Sequence, residues 1–278
     1  MRKIPYLHII LFILTAFSTL IAGTLQKGIN PLAEPWRLIE GIPFSFTLML
    51  ILLSHELSHY FASRVHHTNA TLPYFIPAPS IIGTFGAFIK MKSPIASRKA
   101  LIDIGASGPI AGFIVSFFAS VIGLYFSEII KIPEGGSALS LGDSILFSAL
   151  SRVVIGVAPE GYDILLHPVA FAGWIGFFVT SLNLIPVGQL DGGHIAFALL
   201  GRFHRYLSIA LVAALAALGF VYWEGWAVWA ILLVILGLRH PPVTHWERPL
   251  DPRRRLIAAS SLAIFILTFI PAPFMVNL

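Results

Sequence analysis

The sequence predicts an all-α polytopic membrane protein, with about seven transmembrane helices and a small re-entrant or interfacial β segment. Three observations carry that fold class. Of 278 residues, 57% are hydrophobic and only 11% are charged, where a soluble domain has about 25% charged residues. The mean hydropathy is +0.86. The apolar residues also fall into runs near the roughly 20 residues a helix needs to cross the hydrocarbon core. Such a chain is solvated mainly by the lipid bilayer, which excludes a soluble enzyme, a disordered protein and an ordinary nucleic-acid binder. Cysteine is absent, so disulfides, thiolate metal sites and cysteine nucleophiles are excluded as well.

Taken in order, the predicted spans are Ile4–Ala22, Ile42–Val65, Ile102–Phe126, Val169–Pro186, Tyr206–Tyr222, Trp226–Leu238 and Leu256–Ile270. The sixth is short and reads as half of a tight hairpin with the fifth. Arg2 and Lys3 ahead of the first run resemble a signal peptide, but an embedded chain suits an uncleaved first helix better. Between the second and third spans, Ile81–Lys92 is a β-prone run containing Gly83 and Gly86, among prolines at 73, 77, 79 and 94. It is expected to form a strand or hairpin at membrane depth, where non-helical backbone is tolerated if it lines a cavity. Ser144–Val157 is amphipathic and is expected on the outer surface. No stretch is long enough for a separate soluble module, so residues 1–278 read as one membrane-embedded domain. Its catalytic core is about 42–201, preceded by a helix and loop over 1–41 and followed by C-terminal helices over 202–278.

The formal charge of +5 is explained by orientation rather than by nucleic acid, because the basic residues sit in short loops. Residues 66–100 hold Lys90, Lys92, Arg98 and Lys99 with no acid. Residues 127–165 hold Glu128, Glu134, Asp143, Glu160 and Asp163 against Lys131 and Arg152. Basic residues return at Arg202 and Arg205, and at Arg239, Arg248 and Arg253–Arg255 against Glu247 and Asp251. The positive-inside rule then predicts a multi-pass protein of the cell membrane with its N-terminus cytosolic and the end of the second span at the cytosolic face.

Ionisable residues inside spans are costly, about 2.5–3.5 kcal/mol each when unused, and default to function. The second span contains His55-Glu56-Leu57-Ser58-His59. On a helix, positions i and i+4 share a face, so both imidazoles reach one metal, with Glu56 beside them as a general base. The competing reading has these groups snorkelling from a helix end. A catalytic zinc takes three protein ligands and a water, and Asp191, in Asn183-Leu-Ile-Pro186-Val-Gly-Gln-Leu-Asp191-Gly-Gly-His194, is the candidate for the third. Pro186 and the glycines at 188, 192 and 193 favour local unwinding, which turns the carboxylate toward the metal. On spacing alone, Asp191 reads equally as the cap of a following helix, Gly192–Gly201.

These paired motifs resemble the site-2 protease family of intramembrane zinc metalloproteases. Its H-E-x-x-H helix is matched by His55, Glu56 and His59, and its N-x-x-P-x-x-x-L-D-G motif by Asn183, Pro186, Leu190, Asp191 and Gly192. Leu72–Pro77, Gly83–Gly86, Arg98–Leu101 and Gly108–Gly112 are similar to the branch of plant chloroplast members and prokaryotic relatives, without a PDZ domain. The resemblance implies one Zn2+ per chain held by His55, His59 and Asp191. It also implies Glu56 as the catalytic base, Asn183 beside the substrate or oxyanion, and strands next to the site. Hydrolysis of peptide bonds within or near the transmembrane segments of membrane-anchored substrate proteins is the implied function, with the site toward the cytosolic side.

Other readings fit less well. A metal-ion transporter needs polar groups across the whole bilayer, and haem cannot be held on both faces by histidines four apart on one helix. Gly108, Ala111 and Gly112 read as close helix packing with no chemistry. His66 and His67 read as interfacial, and they and His167, His194, His204, His240 and His245 read as non-ligands.

Overall fold

A computed structural model of the chain describes residues 5–131, 139–247 and 249–276. Arg2, Lys3, Glu134 and Arg248, which enter the charge argument, lie outside the described residues. The helices are α1 (Tyr6–Gln26), α2 (Ile42–Val65), α3 (Arg98–Tyr125), α4 (Ile145–Val154), α5 (Pro168–Leu184), α6 (Asp191–Leu200), α7 (His204–Val221), α8 (Gly225–Leu236) and α9 (Pro252–Thr268). Among the described residues six short strands form three antiparallel pairs: β1 (Tyr74–Pro77) with β2 (Thr84–Phe88), β3 (Glu128–Lys131) with β5 (Tyr162–Leu165), and β4 (Leu139–Leu141) with β6 (Phe274–Val276).

The expected polytopic, mostly helical architecture is present in outline. Helices stand at all seven positions, and among the described residues four stretches are long and apolar enough to cross a membrane: Tyr6–Gln26, Pro35–Val65, Arg98–Tyr125 and Asp191–Val221, the last of which turns at Gly201 between α6 and α7. The spans expected over 169–186, 226–238 and 256–270 are helices of 17, 12 and 17 residues. At 1.5 Å per residue the middle one rises only about 18 Å, against a core of about 30 Å. Hydropathy marks apolar stretches without saying where a proline or glycine ends the helix: Gly237, at φ 100°, terminates α8, and Pro186 stops α5 by excluding Ile185 from the helical region.

Helix α3 is the hub, packed against α2, α5, α6 and α9. Its contact with α5 is made by small residues, because a Cβ on Gly173 or Gly176 would run into Ser120 or Ser116. In lipid no hydrophobic force drives helices together, so this close approach, with the dispersion contacts it brings, is what holds the pair.

The alternation of loops predicted from charge has a geometric counterpart. On one face, His66 Nε2 lies 2.8 Å from Asp103, Arg98 bonds the Ala198 carbonyl at 2.7 Å, and the His245 amide donates to Ala96 at 2.8 Å. On the other face, the β3–β5 and β4–β6 pairs join residues 128–165 to the C-terminal strand. His66 is therefore not a free interfacial side chain. Asp103 also accepts from Arg254 at 2.5 and 3.0 Å, tying the end of α2 to α3 and α9. Replacing Asp103 with alanine is expected to leave Arg254 without this partner and to cost about 1–3 kcal/mol, read as a lower unfolding midpoint in detergent.

The β1–β2 hairpin lies along α1. His8 reaches the Pro73 carbonyl (3.0 Å), Ser18 the Gly83 carbonyl (2.6 Å) and Gln26 the Ile81 carbonyl (2.8 Å). His8 and Gln26 are 18 positions apart, about 27 Å along a helix, so the hairpin re-enters through most of the bundle's depth. Gly83, at φ 81°, makes the turn while pressed on the backbone of Ser18, where no side chain fits.

Candidate metal centre

His55 and His59 are buried on α2, at 4% exposure each, one turn apart and on one face. His59 lies six residues before the end of α2 at Val65, about 9 Å from it along the axis. The site thus sits inside the bundle near the face that carries Asp103. The Ile104 carbonyl on α3 lies 2.7 Å from His59 Nδ1. A carbonyl only accepts, so Nδ1 carries the proton and the Nε2 lone pair faces inward. This ring orientation is the one a metal-ligating histidine needs.

Asp191 arrives from the other side. Helix α5 ends at Leu184, residues 185–190 are non-helical, and α6 starts at Asp191. Gly188, at φ 57°, turns the chain while pressed on the Gly237 carbonyl. The capping alternative fails, because Leu190 occupies the N-cap position and makes no side-chain cap. Instead Asp191 Oδ2 lies 3.2 Å from both His55 Nε2 and His59 Nε2, which are themselves 3.0 Å apart.

These three atoms fit a metal ion. Two imidazole nitrogens and a carboxylate oxygen converge from two chain segments, and they form the group of possible ligands found among the described residues. Zinc bonds of about 2.0–2.1 Å in tetrahedral geometry place neighbouring ligand atoms about 3.3 Å apart, close to the separations here. Histidine and carboxylate donors are a zinc set.

Glu56 is also buried, at 6% exposure. Its carboxylate lies within electrostatic range of His55, His59 and Asp191 and faces the backbone amide of Ile89, just past β2. Asn183, in the last turn of α5, places Nδ2 3.4 Å from His55 Nε2. The structure therefore brings together all five residues singled out from the sequence. His194 turns away from the centre to His240, its Nδ1 2.6 Å from His240 Nε2, and His167 caps α5 at the opposite end.

Sequence reasoning missed the floor of the site. Gly108 and Gly112 on α3 do pack closely, but against imidazoles. A Cβ on Gly108 would collide with the His59 ring, and one on Gly112 would lie 3.1 Å from His55 Nδ1. The spacing of four in both pairs was the available signal: two small residues on one helix stand opposite two histidines on another.

A helical membrane bundle with two histidines and an aspartate converging beside a buried glutamate defines a polytopic protein built around a metal-ready centre. The chain belongs to peptidase family M50, whose profile matches residues 43–222. It is 34% identical over 164 residues to "Probable zinc metalloprotease EGY2, chloroplastic" of Arabidopsis thaliana, covering 59% of this chain and 29% of that protein. It is 31% identical over 225 residues to "Probable zinc metalloprotease EGY1, chloroplastic" of Oryza sativa subsp. japonica, covering 71% of this chain and 38% of that protein. The chain thus spans about a third of the length of the curated relatives it matches. No solved structure matches it.

Proposed function

We propose that the protein is an intramembrane zinc metalloprotease, cleaving peptide bonds within or near the transmembrane segments of membrane-anchored substrate proteins. The observation that carries this reading is the convergence of His55, His59 and Asp191 beside buried Glu56, inside a bundle of membrane-length helices. Membership of peptidase family M50 and similarity to proteins named as zinc metalloproteases support it. In this reading the catalytic core is about 42–201, flanked by 1–41 and 202–278, and the N-terminus and active site face the cytosol of a multi-pass cell-membrane protein.

His55, His59 and Asp191 would hold one zinc per chain. When bound, zinc supplies Lewis-acid chemistry, acidifying water and polarising a carbonyl. Glu56 takes a proton from the attacking water as its oxygen joins the scissile carbonyl carbon. It then delivers that proton to the leaving amide nitrogen as the C–N bond breaks. The Asn183 amide, on the rim of the centre, donates to the oxygen on which negative charge develops.

A substrate helix hides its peptide groups in its own hydrogen bonds, so it has to unwind first. The β1–β2 hairpin has one partner per strand, which leaves edges for strand addition by the unwound segment. β2 packs against α2, and Ile89 beyond it faces Glu56, so a strand added to this hairpin lies next to the general base.

The test is reconstitution in liposomes with a single-span reporter, with the cut mapped by mass spectrometry. The expected result is a cut inside the apolar span or within a few residues of it, abolished by a zinc chelator and restored by zinc. No cut in any of a panel of spans, or cuts confined to the soluble tail and indifferent to chelator, would overturn the proposal.

A further inference from the structure

Away from the metal centre, on the face that carries Asp103 and the 239–251 loop, three arginines from two stretches of the chain converge on one cavity of about 600 Å³. Arg202 comes from the turn between α6 and α7, Arg205 from the first turn of α7, and Arg239 from the segment after α8. His204, His240 and Tyr206 complete much of the wall, and among the described residues no carboxylate lines it. An adjoining cavity shares Arg205 and Arg239.

These cations differ from others in the chain. Arg37 pairs with Glu34 and Glu40, and Arg254 with Asp103 and Asp251. Arg202, Arg205 and Arg239 have no carboxylate partner among the described residues. The Arg202 guanidinium stands 5.2 Å from the Phe203 ring centroid, and stacking of that kind leaves its edge N–H donors for a ligand. The rim is apolar and exposed, with Tyr206 and Ile209 on α7 and Leu236 on α8. An interfacial tyrosine beside lipid-facing aliphatics marks the depth of phospholipid headgroups. Basic residues near spans serve orientation in general, but orientation does not require three of them to surround one cavity.

We propose that Arg202, Arg205 and Arg239 form a binding site for a phosphate-bearing anion at the membrane surface. Guanidinium groups match phosphate oxygens with paired N–H donors, and the cavity is within the range of small-ligand sites. Two sources share this chemistry: the headgroup of an anionic phospholipid, and soluble phosphate. The back wall reaches the metal centre's own helix, since His240 contacts His194 on α6 and stacks on Phe197 at 4.3 Å. An occupant therefore pins the segment after α8 against α6.

The test uses the full chain in neutral detergent. Wild type is compared with R202Q/R205Q/R239Q and with R253Q/R255Q, which removes two cations of the same face from outside the cavity. Retained lipid is measured by native mass spectrometry with phosphatidylglycerol or phosphatidylcholine, with and without competing inorganic phosphate. Wild type is expected to prefer phosphatidylglycerol, and the triple variant to lose ~10-fold or more of that binding, while the control variant keeps it. Competition by millimolar phosphate assigns the site to the phosphate group alone. Phosphatidylglycerol binding that phosphate cannot displace assigns it to the whole lipid. No preference for the anionic lipid and no binding of phosphate, or an equal loss in the control variant, would overturn the proposal.

Discussion

Replacing Asp191 with alanine is expected to strip the protein of its metal. The carboxylate offers one of three converging candidate ligand atoms, 3.2 Å from each histidine nitrogen, and the two histidines left behind come from a single helix. A site of two neutral imidazoles lacks both the negative charge and the third direction that a divalent cation needs. Zinc retained after dialysis against a mild chelator is expected to fall at least roughly tenfold, with reporter cleavage falling in parallel. Elemental analysis of wild type and variant checks this. Asp191→Asn is the sharper control: it keeps the shape and removes the charge, so it is expected to lose zinc as well without destabilising the start of α6.

The second large effect is expected from Gly108→Ala, and its sign separates two accounts. Judged as a helix position alone, alanine is better than glycine by about 1 kcal/mol, so α3 would be stabilised. In the structure the added methyl meets the His59 ring. That ring cannot swing away without breaking its 2.7 Å bond to the Ile104 carbonyl. Either α2 and α3 separate or the imidazole leaves its inward orientation. Overpacking of this kind costs about 1–3 kcal/mol, and a misdirected ligand costs about 10–100-fold in metal affinity. Gly112→Ala, whose methyl would lie 3.1 Å from His55 Nδ1, is expected to show a smaller loss of the same kind. Zinc affinity by competition with a fluorescent chelator distinguishes the variants.

The contrast between Gly108 and the H-E-x-x-H helix shows what can be read from a sequence of this type. The bounds of α2, Ile42–Val65, are legible because an apolar run meets Gly41 and Pro43 at one end and polar His66 and His67 at the other. The facing of His55 and His59 follows from helical periodicity alone. Unwinding between Leu184 and Asp191 was also legible, because proline and glycine act locally. The β hairpin was legible as a β-prone run with glycines, though its partner strand at Tyr74–Pro77 and its depth along α1 were not.

What stayed hidden are relations between segments distant in the chain. Nothing local tells Gly108 that a histidine ring lies above it, or Ile104 that its carbonyl orients that ring. His66 looked interfacial because its partner Asp103 lies 37 residues away, and Arg254, which bonds Asp103 in turn, lies 151 residues beyond that. The bounds of the shorter helices were hidden for a different reason. Hydropathy measures solvation, whereas span length depends on where backbone hydrogen bonding stops, as at Gly237.

The proteolytic reading rests on Glu56 acting at a loaded metal centre, and that pairing is directly measurable. Wild type and Glu56→Gln are purified side by side, assayed for zinc by elemental analysis, and reconstituted with the same single-span reporter. Because Glu56 is outside the ligand set, both are expected to hold about one zinc per chain, while cleavage by the variant falls by about 10²–10⁴-fold, the usual worth of a general base. Cleavage undiminished in a zinc-loaded Glu56→Gln protein would contradict the account, as would a wild-type protein that cleaves equally well with its zinc removed.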